Sequence, residues 1–140
     1  MAIAIDTNIL VTLLDGEVEW EAAAQRSLEK AADSGGLVIC GAVFAELLAH
    51  PRKTEAFLME FCSETGISID WSMDEAIWRS AGRACVRYAK NRRRQRAGSP
   101  RRILTDFIIG AHAVENRHPL LTADSRVYRS AFPKLKLFSI

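Results

Sequence analysis

The sequence has few cysteines, and their positions exclude two classes of small protein. Cys40, Cys62 and Cys85 are more than twenty residues apart. Their number is odd, and no two of them have the short spacing that is typical of a zinc site or of a disulfide framework. We therefore expect three unpaired thiols in or near the hydrophobic core.

Long apolar runs are also absent. The apolar segments are too short and too often interrupted for a membrane-spanning helix, and no basic start leads into the apolar stretch that is typical of a signal peptide. These absences predict a cytoplasmic protein that does not contact membranes. The chain has 140 residues, 49% of them hydrophobic, which is enough for the core of one compact domain spanning 1–140.

Acidic residues are missing from one part of the chain. Between Ala76 and Thr105 there is no Asp or Glu, yet this segment holds ten of the nineteen Lys and Arg residues. Elsewhere, nine bases stand against seventeen acids. This separation of charge predicts an anionic partner for the basic segment, and a metal or a cationic partner for the acidic remainder.

The apolar pattern that is present alternates between short strands and amphipathic helices. Strands are predicted at 2–5, 37–40, 67–69, 120–122 and 136–138. Helices are predicted at 7–14, 19–33, 42–49, 53–65, 73–94, 103–117 and 125–130. Strands that are so short and so apolar are typical of a parallel sheet with helices on both faces. The sequence therefore predicts an α/β fold.

Four acidic residues occupy comparable places in this pattern. Asp6 follows the first strand, Glu46 lies in the helix after the second, Asp106 lies in the first turn of a helix, and Asp124 follows a later strand. The carboxyl ends of parallel strands meet at one edge of a sheet, so the four side chains are expected to converge there. Each also has a simpler explanation, as a helix cap or as a solvated acid.

Glu46 is the only charged residue of a helix that is apolar around most of its circumference. A buried carboxylate in such a helix needs a partner or a bound cation. The alternative is that Glu46 lies on a narrow solvated stripe.

A shared site for these acids has a chemical consequence. Carboxylates that lie a few ångströms apart repel one another, and a divalent cation relieves the repulsion. Because the predicted ligands are oxygens, without His or Cys, they favour Mg²⁺ or Mn²⁺ over Zn²⁺. Such an ion supports the hydrolysis of phosphodiesters without a nucleophilic side chain.

The basic segment has two parts. Arg79, Arg83, Arg87 and Lys90 recur at steps of four, four and three, which places them along one face of a helix. The stretch 91–102, with Gly98 and Pro100, is expected to be a mobile loop. Its arginines are Arg92, Arg93, Arg94, Arg96, Arg101 and Arg102. The segment is either a nucleic-acid contact made through phosphates or a solvated face.

These motifs together resemble a known family. Ile-Asp-Thr-Asn8, Val-Phe-Ala-Glu-Leu47, Asp106 in Asp-Phe-Ile-Ile-Gly-Ala-His112, and Thr122-Ala-Asp124 look like the successive motifs of PIN-domain ribonucleases, specifically VapC-type toxins of bacterial toxin–antitoxin pairs. The resemblance spans nearly the whole chain. It implies a three-layer α/β/α sandwich with a short-stranded, mainly parallel central sheet.

The resemblance also implies roles for individual residues. Asp6 and Asp106 resemble direct Mg²⁺ ligands, with Mn²⁺ as a substitute, and Glu46 and Asp124 resemble supporting acids. Asn8 and Thr122 match positions that orient the acids or the attacking water. The family implies cleavage of structured RNA such as tRNA or rRNA, a homodimer, and inhibition by a VapB-like antitoxin. Whether the Arg-rich segment contacts RNA or antitoxin stays open.

Two other functions are consistent with parts of the sequence. Asp70 ends the strand pattern at 67–69, as the phosphoacceptor of a receiver-like signalling domain would, although the paired acids and the lysine of a receiver are absent. The other alternative is a catalytically inactive RNA-binding module. His112 is expected to be structural, and Trp20, Trp71 and Trp78 are expected to pack in the core or at a dimer face.

Overall fold

The computed structural model describes residues 2–16, 18–51, 53–94 and 104–139. Within these ranges, strands and helices alternate along the chain. The strands are β1 (Ile3–Ile5), β2 (Leu37–Cys40), β3 (Ile67–Asp70), β4 (Leu120–Thr122) and β5 (Leu137–Ser139). The helices are α1 (Thr7–Asp15), α2 (Val18–Asp33), α3 (Gly41–Ala49), α4 (Glu55–Thr65), α5 (Glu75–Arg94), α6 (Leu104–Glu115) and α7 (Ser125–Ala131).

The five strands form one sheet in the order β3-β2-β1-β4-β5. Every pairing is parallel, with Ala4 opposite both Val38 and Leu120 in the neighbouring strands. The three inner strands are buried along their whole length, whereas β3 and β5 at the edges are partly exposed. This is the burial expected of a sheet with both faces covered, and it confirms the predicted α/β/α fold.

The helices divide between the two faces of the sheet. The chain moves from β1 to β3 in one direction across the sheet and from β3 to β5 in the other. Because crossovers between parallel strands are right-handed, α1 to α4 lie on one face and α5 to α7 on the other. In agreement, α5, α6 and α7 all pack on one another.

The direction of chain progression reverses between β1 and β4. In open α/β sheets, ligands bind at such a point, in the crevice beyond the carboxyl ends of the strands. Asp6 and Thr122 stand at those two strand ends, and the backbone N–H of Asp6 donates to the carbonyl of Leu121 at 2.9 Å. The sheet topology thus places the first predicted motif beside the last.

Differences from the predicted boundaries have local causes. The helix predicted at 53–65 begins two residues later, because the Thr54 side chain accepts a hydrogen bond from the N–H of Phe57 and caps the helix. The helix predicted at 73–94 begins at Glu75, and Asp74 accepts from the N–H of Ile77 in the same way. A capping residue ends the preceding loop, so the helix starts after it.

The tryptophans correct one expectation. The side chains of Trp71 and Trp78 are 59% and 52% exposed, so of the two predicted locations the core is wrong for both, and the dimer face stays a prediction. The side chain of Trp20 lies outside the described part of the structure. Among the cysteines, Cys40 and Cys62 are buried and Cys85 is half-buried, as predicted.

No helix within the described ranges has the length and the apolar character needed to cross a lipid bilayer.

Candidate active site

Asp6 is held at the carboxyl end of β1 by two hydroxyl groups. The Thr122 Oγ1 and the Tyr128 hydroxyl each donate a hydrogen bond of 2.8 Å to its Oδ2 atom. The residue is only 4% exposed. It occupies the N-cap position of α1, yet its side chain makes no capping hydrogen bond, so the helix-cap explanation is wrong for Asp6.

Burial raises the pKa of Asp6. The hydrogen bonds from Tyr128 and Thr122 partly offset this rise, and the charge of Glu46 adds to it. A carboxylate with these surroundings is costly to ionise without a neighbouring positive charge.

A polar network ties the ends of β1 and β4 together. Asn8 donates through Nδ2 to Thr122 Oγ1 at 3.3 Å and accepts through Oδ1 from the N–H of Ala123 at 3.1 Å. The N–H of Asp124 also donates to Thr122 Oγ1, at 3.1 Å. Thr122 is completely buried, and its hydroxyl lies closer to Asp6 Oδ2, at 2.8 Å, than to its other acceptor, the carbonyl of Asp124, at 3.3 Å. Both residues predicted to support the acids therefore contact the network around Asp6.

Asp106 lies in the first turn of α6 and is half-buried. Its pKa is raised from the ordinary 3.8 to about 6, mainly by burial and then by the negative charges of Asp6, Glu46 and Asp124, in that order of effect. Three acids distant in sequence thus act on the carboxyl of Asp106. The structure brings the four predicted acids together at one edge of the sheet.

Glu46 and Asp124 form the exposed side of this acidic cluster, which we define as Asp6, Glu46, Asp106 and Asp124. Glu46 lies on the solvated side of α3. The alternative in which it is buried is therefore wrong, and the one that places it on a solvated stripe is correct. Its Oε1 accepts a hydrogen bond from Thr7 Oγ1 at 2.5 Å. Asp124 caps α7, because its Oδ1 accepts from the N–H of Arg126 at 3.2 Å. The cap explanation is therefore correct for Asp124, in addition to its charge effect on Asp106.

The donor set fits a hard divalent cation that keeps part of its water. Among the described residues, no group of three or more His, Cys, Asp or Glu side chains is arranged closely enough to enclose a metal ion. Mg²⁺ in proteins is usually bound by one or two carboxylates together with waters and phosphate oxygens, so it does not need such an enclosure. A pair of carboxylates supported by two further acids is consistent with that mode of binding.

Tyr128 is a site residue that the sequence did not reveal. It is 1% exposed, and burial together with the charges of Asp6 and Asp106 raises the pKa of its hydroxyl well above the usual range. The hydroxyl therefore stays protonated and remains a donor to Asp6. No spacing pattern points to a tyrosine on the short helix after Asp124, and its role is visible only from the contact across 122 residues of sequence.

The predicted basic face of α5 is divided in the structure. Arg79 forms an ion pair with Glu75 at 3.3 Å, and Arg87 donates through Nε to the carbonyl of Ala131 at 2.9 Å. Arg83, Lys90, Arg93 and Arg94 are exposed, and Arg92 is half-buried. The first four residues of the predicted loop, 91–94, are helical and belong to α5, so the loop prediction is wrong for them. The rest of that loop, 95–102, lies outside the described residues, and with it Arg96, Arg101 and Arg102.

His112 is buried, with 1% exposure, and its Nε2 lies 2.8 Å from Asp70 Oδ2. This pairing and a hydrogen bond from the backbone N–H of Ser72 lower the pKa of Asp70. The structural role predicted for His112 is confirmed, and the carboxylate that a receiver-like domain would use is engaged by it.

Comparison with known proteins places the chain in a family. It matches the PIN domain over residues 3–133. Its fold is similar to that of VapBC2 from Rickettsia felis, in a crystal structure with a DNA fragment from the promoter. The two chains have 21% sequence identity and a TM-score of 0.69, and the match covers 99% of this chain and 98% of that chain. VapBC-1 from nontypeable Haemophilus influenzae is also similar, with 19% sequence identity and a TM-score of 0.65; the match covers 99% of this chain and 98% of that chain.

FitAcB from Neisseria gonorrhoeae gives 19% identity, 99% and 97% coverage and a TM-score of 0.62. No curated protein sequence matches the chain significantly. At these identities the structural likeness concerns the fold, whereas the family match extends over nearly the whole sequence. The chain therefore belongs to the PIN domain family.

Proposed function

We propose that this protein is a metal-dependent endoribonuclease and the VapC-type toxin of a toxin–antitoxin pair. The observation that supports the proposal most directly is that Asp6, Glu46 and Asp124 all act on the half-buried carboxyl of Asp106, whose pKa is raised to about 6 by burial and then by these three charges. Such repulsion is unfavourable unless the site serves to bind a cation. Membership of the PIN domain family supports the same conclusion.

The residues of the acidic cluster have distinct proposed roles. Asp6 and Asp106 hold the ion, which we propose to be Mg²⁺ with Mn²⁺ as a substitute. When bound, this ion supplies a Lewis acid for a phosphate oxygen and lowers the pKa of a coordinated water. Glu46, fixed by Thr7, and Asp124 add negative charge at the exposed side of the site.

Asn8, Thr122 and Tyr128 act on the ion site through Asp6. Both hydroxyl donors bind its Oδ2 atom and thereby hold the carboxyl group in place. The hydrogen bonds also favour the ionised form of Asp6, which its burial disfavours.

The partners are proposed on the same basis. The substrate is structured RNA such as tRNA or rRNA, and a VapB-like antitoxin inhibits the enzyme in the cytoplasm. The structural neighbours from Rickettsia felis, Klebsiella pneumoniae and Haemophilus influenzae are toxin–antitoxin complexes, which supports the antitoxin partner. A homodimer is also proposed.

The function is tested with the purified protein, a tRNA pool and a fragment of rRNA. We expect cleavage with Mg²⁺, no cleavage in EDTA, and a loss of at least about a hundredfold for Asp6→Asn and Asp106→Asn, since each removes a proposed ligand. Asp33→Asn, an exposed acid at the end of α2, is the matched control and should retain full activity.

The other outcomes point to other functions. RNA binding that is sensitive to salt but is never followed by cleavage, and is indifferent to Asp6→Asn, would indicate the inactive RNA-binding module. Cleavage by either acid variant at the wild-type rate would contradict the assignment of the site.

A further inference from the structure

A groove of about 780 Å³ opens beside the acidic cluster, between the C-terminal part of α5 and α7. Asp124 is one of its lining residues. The backbone N–H of Asp124 donates to Thr122 Oγ1 at 3.1 Å, and this hydroxyl donates to Asp6 Oδ2 at 2.8 Å, so the groove adjoins the proposed site of hydrolysis. A polymer bound at the acids therefore has an adjacent groove through which it can continue.

The remaining charge of the groove is positive. Arg92 from α5 and Arg126 and Arg129 from α7 line it, against the single carboxylate of Asp124. Arg126 and Arg129 are exposed, and within the described ranges neither forms an ion pair with an acid. Exposed guanidinium groups without a carboxylate partner are suited to phosphate, which they bind through two parallel hydrogen bonds.

The two helices are held at a fixed separation. Asn91 donates through Nδ2 to Ser130 Oγ at 2.9 Å, and Arg87 donates to the carbonyl of Ala131 at 2.9 Å. These bonds join α5 to α7 along the groove. The backbone positions of the two α7 arginines relative to α5 are therefore set before any ligand binds.

We propose that this groove binds the sugar–phosphate backbone of the RNA strand that is cut, with Arg126 and Arg129 as phosphate contacts. The inference rests on the proposed nuclease function, because the groove is assigned to the substrate of the acidic cluster. It adds two residues outside the basic segment 76–105 to the predicted nucleic-acid contacts.

The lining also indicates that the groove does not recognise the bases of the RNA. Tyr88 is the aromatic residue that lines it, and this ring is buried and packed against Phe107, with 5.5 Å between the ring centroids. A base cannot stack on a ring that is already covered. Phosphate contacts position a strand but carry no sequence information, so binding in the groove is independent of base sequence.

A second basic groove provides a contrast. Arg83 and Lys134 line a space of about 410 Å³, but Glu115 shares this lining. It includes none of the four acids and lies beside the C-terminal end of α6, whereas Asp106 lies at the other end of that helix. Of these two grooves, the one next to Asp124 adjoins the acidic cluster and presents Arg126 and Arg129, which form no ion pair with an acid within the described ranges.

The experiment compares two double variants in the Asp106→Asn background, which removes cleavage from the binding measurement. One double variant carries Arg126→Gln and Arg129→Gln. The control carries Lys30→Gln and Lys134→Gln, which remove the same amount of positive charge. Both lysines are exposed and lie near the amino ends of strands, at the opposite edge of the sheet from the acidic cluster. The dissociation constant for a fluorescent single-stranded RNA oligonucleotide is measured by anisotropy over a series of KCl concentrations. Polyglutamate is the second probe.

We expect the arginine variant to weaken RNA binding by about tenfold or more at low salt. The slope of log K against log salt should become shallower by about 1 to 2, because each lost phosphate contact removes about 0.7 to 0.9 from it. The lysine control should keep the wild-type slope, and Arg126→Lys with Arg129→Lys should restore most of the slope.

Three results distinguish a wrong assignment of the groove from a wrong assignment of the nuclease function. Equal slopes for the arginine and lysine variants would overturn the groove assignment. Unchanged RNA binding with loss of polyglutamate binding would also overturn it and would assign the groove to an acidic polypeptide. A shallower slope for the arginine variant would support the groove even if the wild-type chain cleaved no RNA, in which case only the nuclease proposal fails.

Discussion

At the scale of single residues, the carboxyl group of Asp106 determines how the site responds to pH. Its pKa is raised from 3.8 to about 6 in the folded chain, so the folded state retains this proton to a higher pH than the unfolded state. The metal-free protein therefore loses stability as pH rises from about 4 to about 6, and the loss is complete above that range. Asp6 contributes in the same direction.

This predicts that Asp106→Asn stabilises the protein in EDTA at pH 7. We expect the free energy of unfolding to rise by about 1 to 3 kcal/mol, a range that allows for the partial exposure of the residue. Urea denaturation of both proteins at several pH values measures this difference in the free energy of unfolding, which should vanish near pH 4. A variant that is less stable than the wild type at pH 7 would contradict the proposed repulsion.

Tyr128 is predicted to act through Asp6. Replacing Tyr128 by Phe keeps the ring in its buried position and removes one of the two donors to Asp6 Oδ2. We expect Mg²⁺ affinity to fall by about tenfold, as is usual when a group supporting a metal ligand is lost. The readouts are the Mg²⁺ concentration for half-maximal cleavage and the increase of the melting temperature on adding Mg²⁺.

Tyr88→Phe is the matched control for this measurement. It also removes the hydroxyl of a buried tyrosine, but one that packs against Phe107. Because Tyr88 also lines the groove proposed to bind RNA, this variant is compared only by the increase of the melting temperature on adding Mg²⁺, and its Mg²⁺ affinity should equal that of the wild type. A Tyr128→Phe protein with unchanged Mg²⁺ affinity would show that the hydroxyl only fills space.

At the scale of elements, α6 owes its position to a glycine. A Cβ atom added at Gly110 would lie 2.3 Å from the ring of Phe132, so the helix approaches this ring more closely than any other residue would permit. Asp106, four residues earlier on α6, depends on the same packing for its place at the sheet edge.

Gly110→Ala is therefore predicted to destabilise the fold by about 1 to 3 kcal/mol, as is typical of overpacking. Gly82→Ala, in the interior of α5, places its Cβ where nothing lies within 4 Å, and should stabilise the monomer by about 0.5 to 1 kcal/mol. Thermal unfolding of the two variants compares them. Equal melting temperatures would contradict the packing described for Gly110.

Much of the element structure could be predicted from the sequence, because it depends on local patterns. The strands 37–40 and 120–122 have the predicted bounds, since runs of apolar residues flanked by turn residues define them. The acids also follow from position: Asp6 stands directly after β1 and Asp124 two residues after β4, and all parallel strands end at the same edge.

The remaining features depend on contacts between distant residues. Tyr128 meets Asp6 only because β4 lies beside β1, and no periodicity reveals this contact. Glu46 appeared buried because its neighbours are apolar, yet α3 has a narrow exposed side. Trp71 and Trp78 are large and apolar, but residue type alone does not tell a core position from a surface one.

At the scale of the whole molecule, α5 presents an apolar surface to solvent. Trp78 and Val86 are 52% and 54% exposed and lie eight residues apart, which puts them on one face of the helix. Exposed apolar surface of this kind marks interaction sites, and the predicted homodimer provides a partner for it.

We therefore predict that the protein sediments as a dimer in analytical ultracentrifugation and that Trp78→Gln shifts it to the monomer. Met59→Gln, on α4, removes another exposed apolar side chain and should leave the dimer unchanged. A wild-type monomer at micromolar concentration would contradict the dimer prediction.

Central to the proposed function is a divalent cation held by Asp6 and Asp106, with Glu46 and Asp124 adding negative charge beside it. Titration of the purified protein with Mn²⁺, followed by electron paramagnetic resonance of the free ion, tests it most directly. We expect the wild type to bind Mn²⁺ and the Asp106→Asn variant to bind it with an affinity lower by about tenfold or more. Equal Mn²⁺ affinity in the two proteins, or no binding by the wild type, would contradict it.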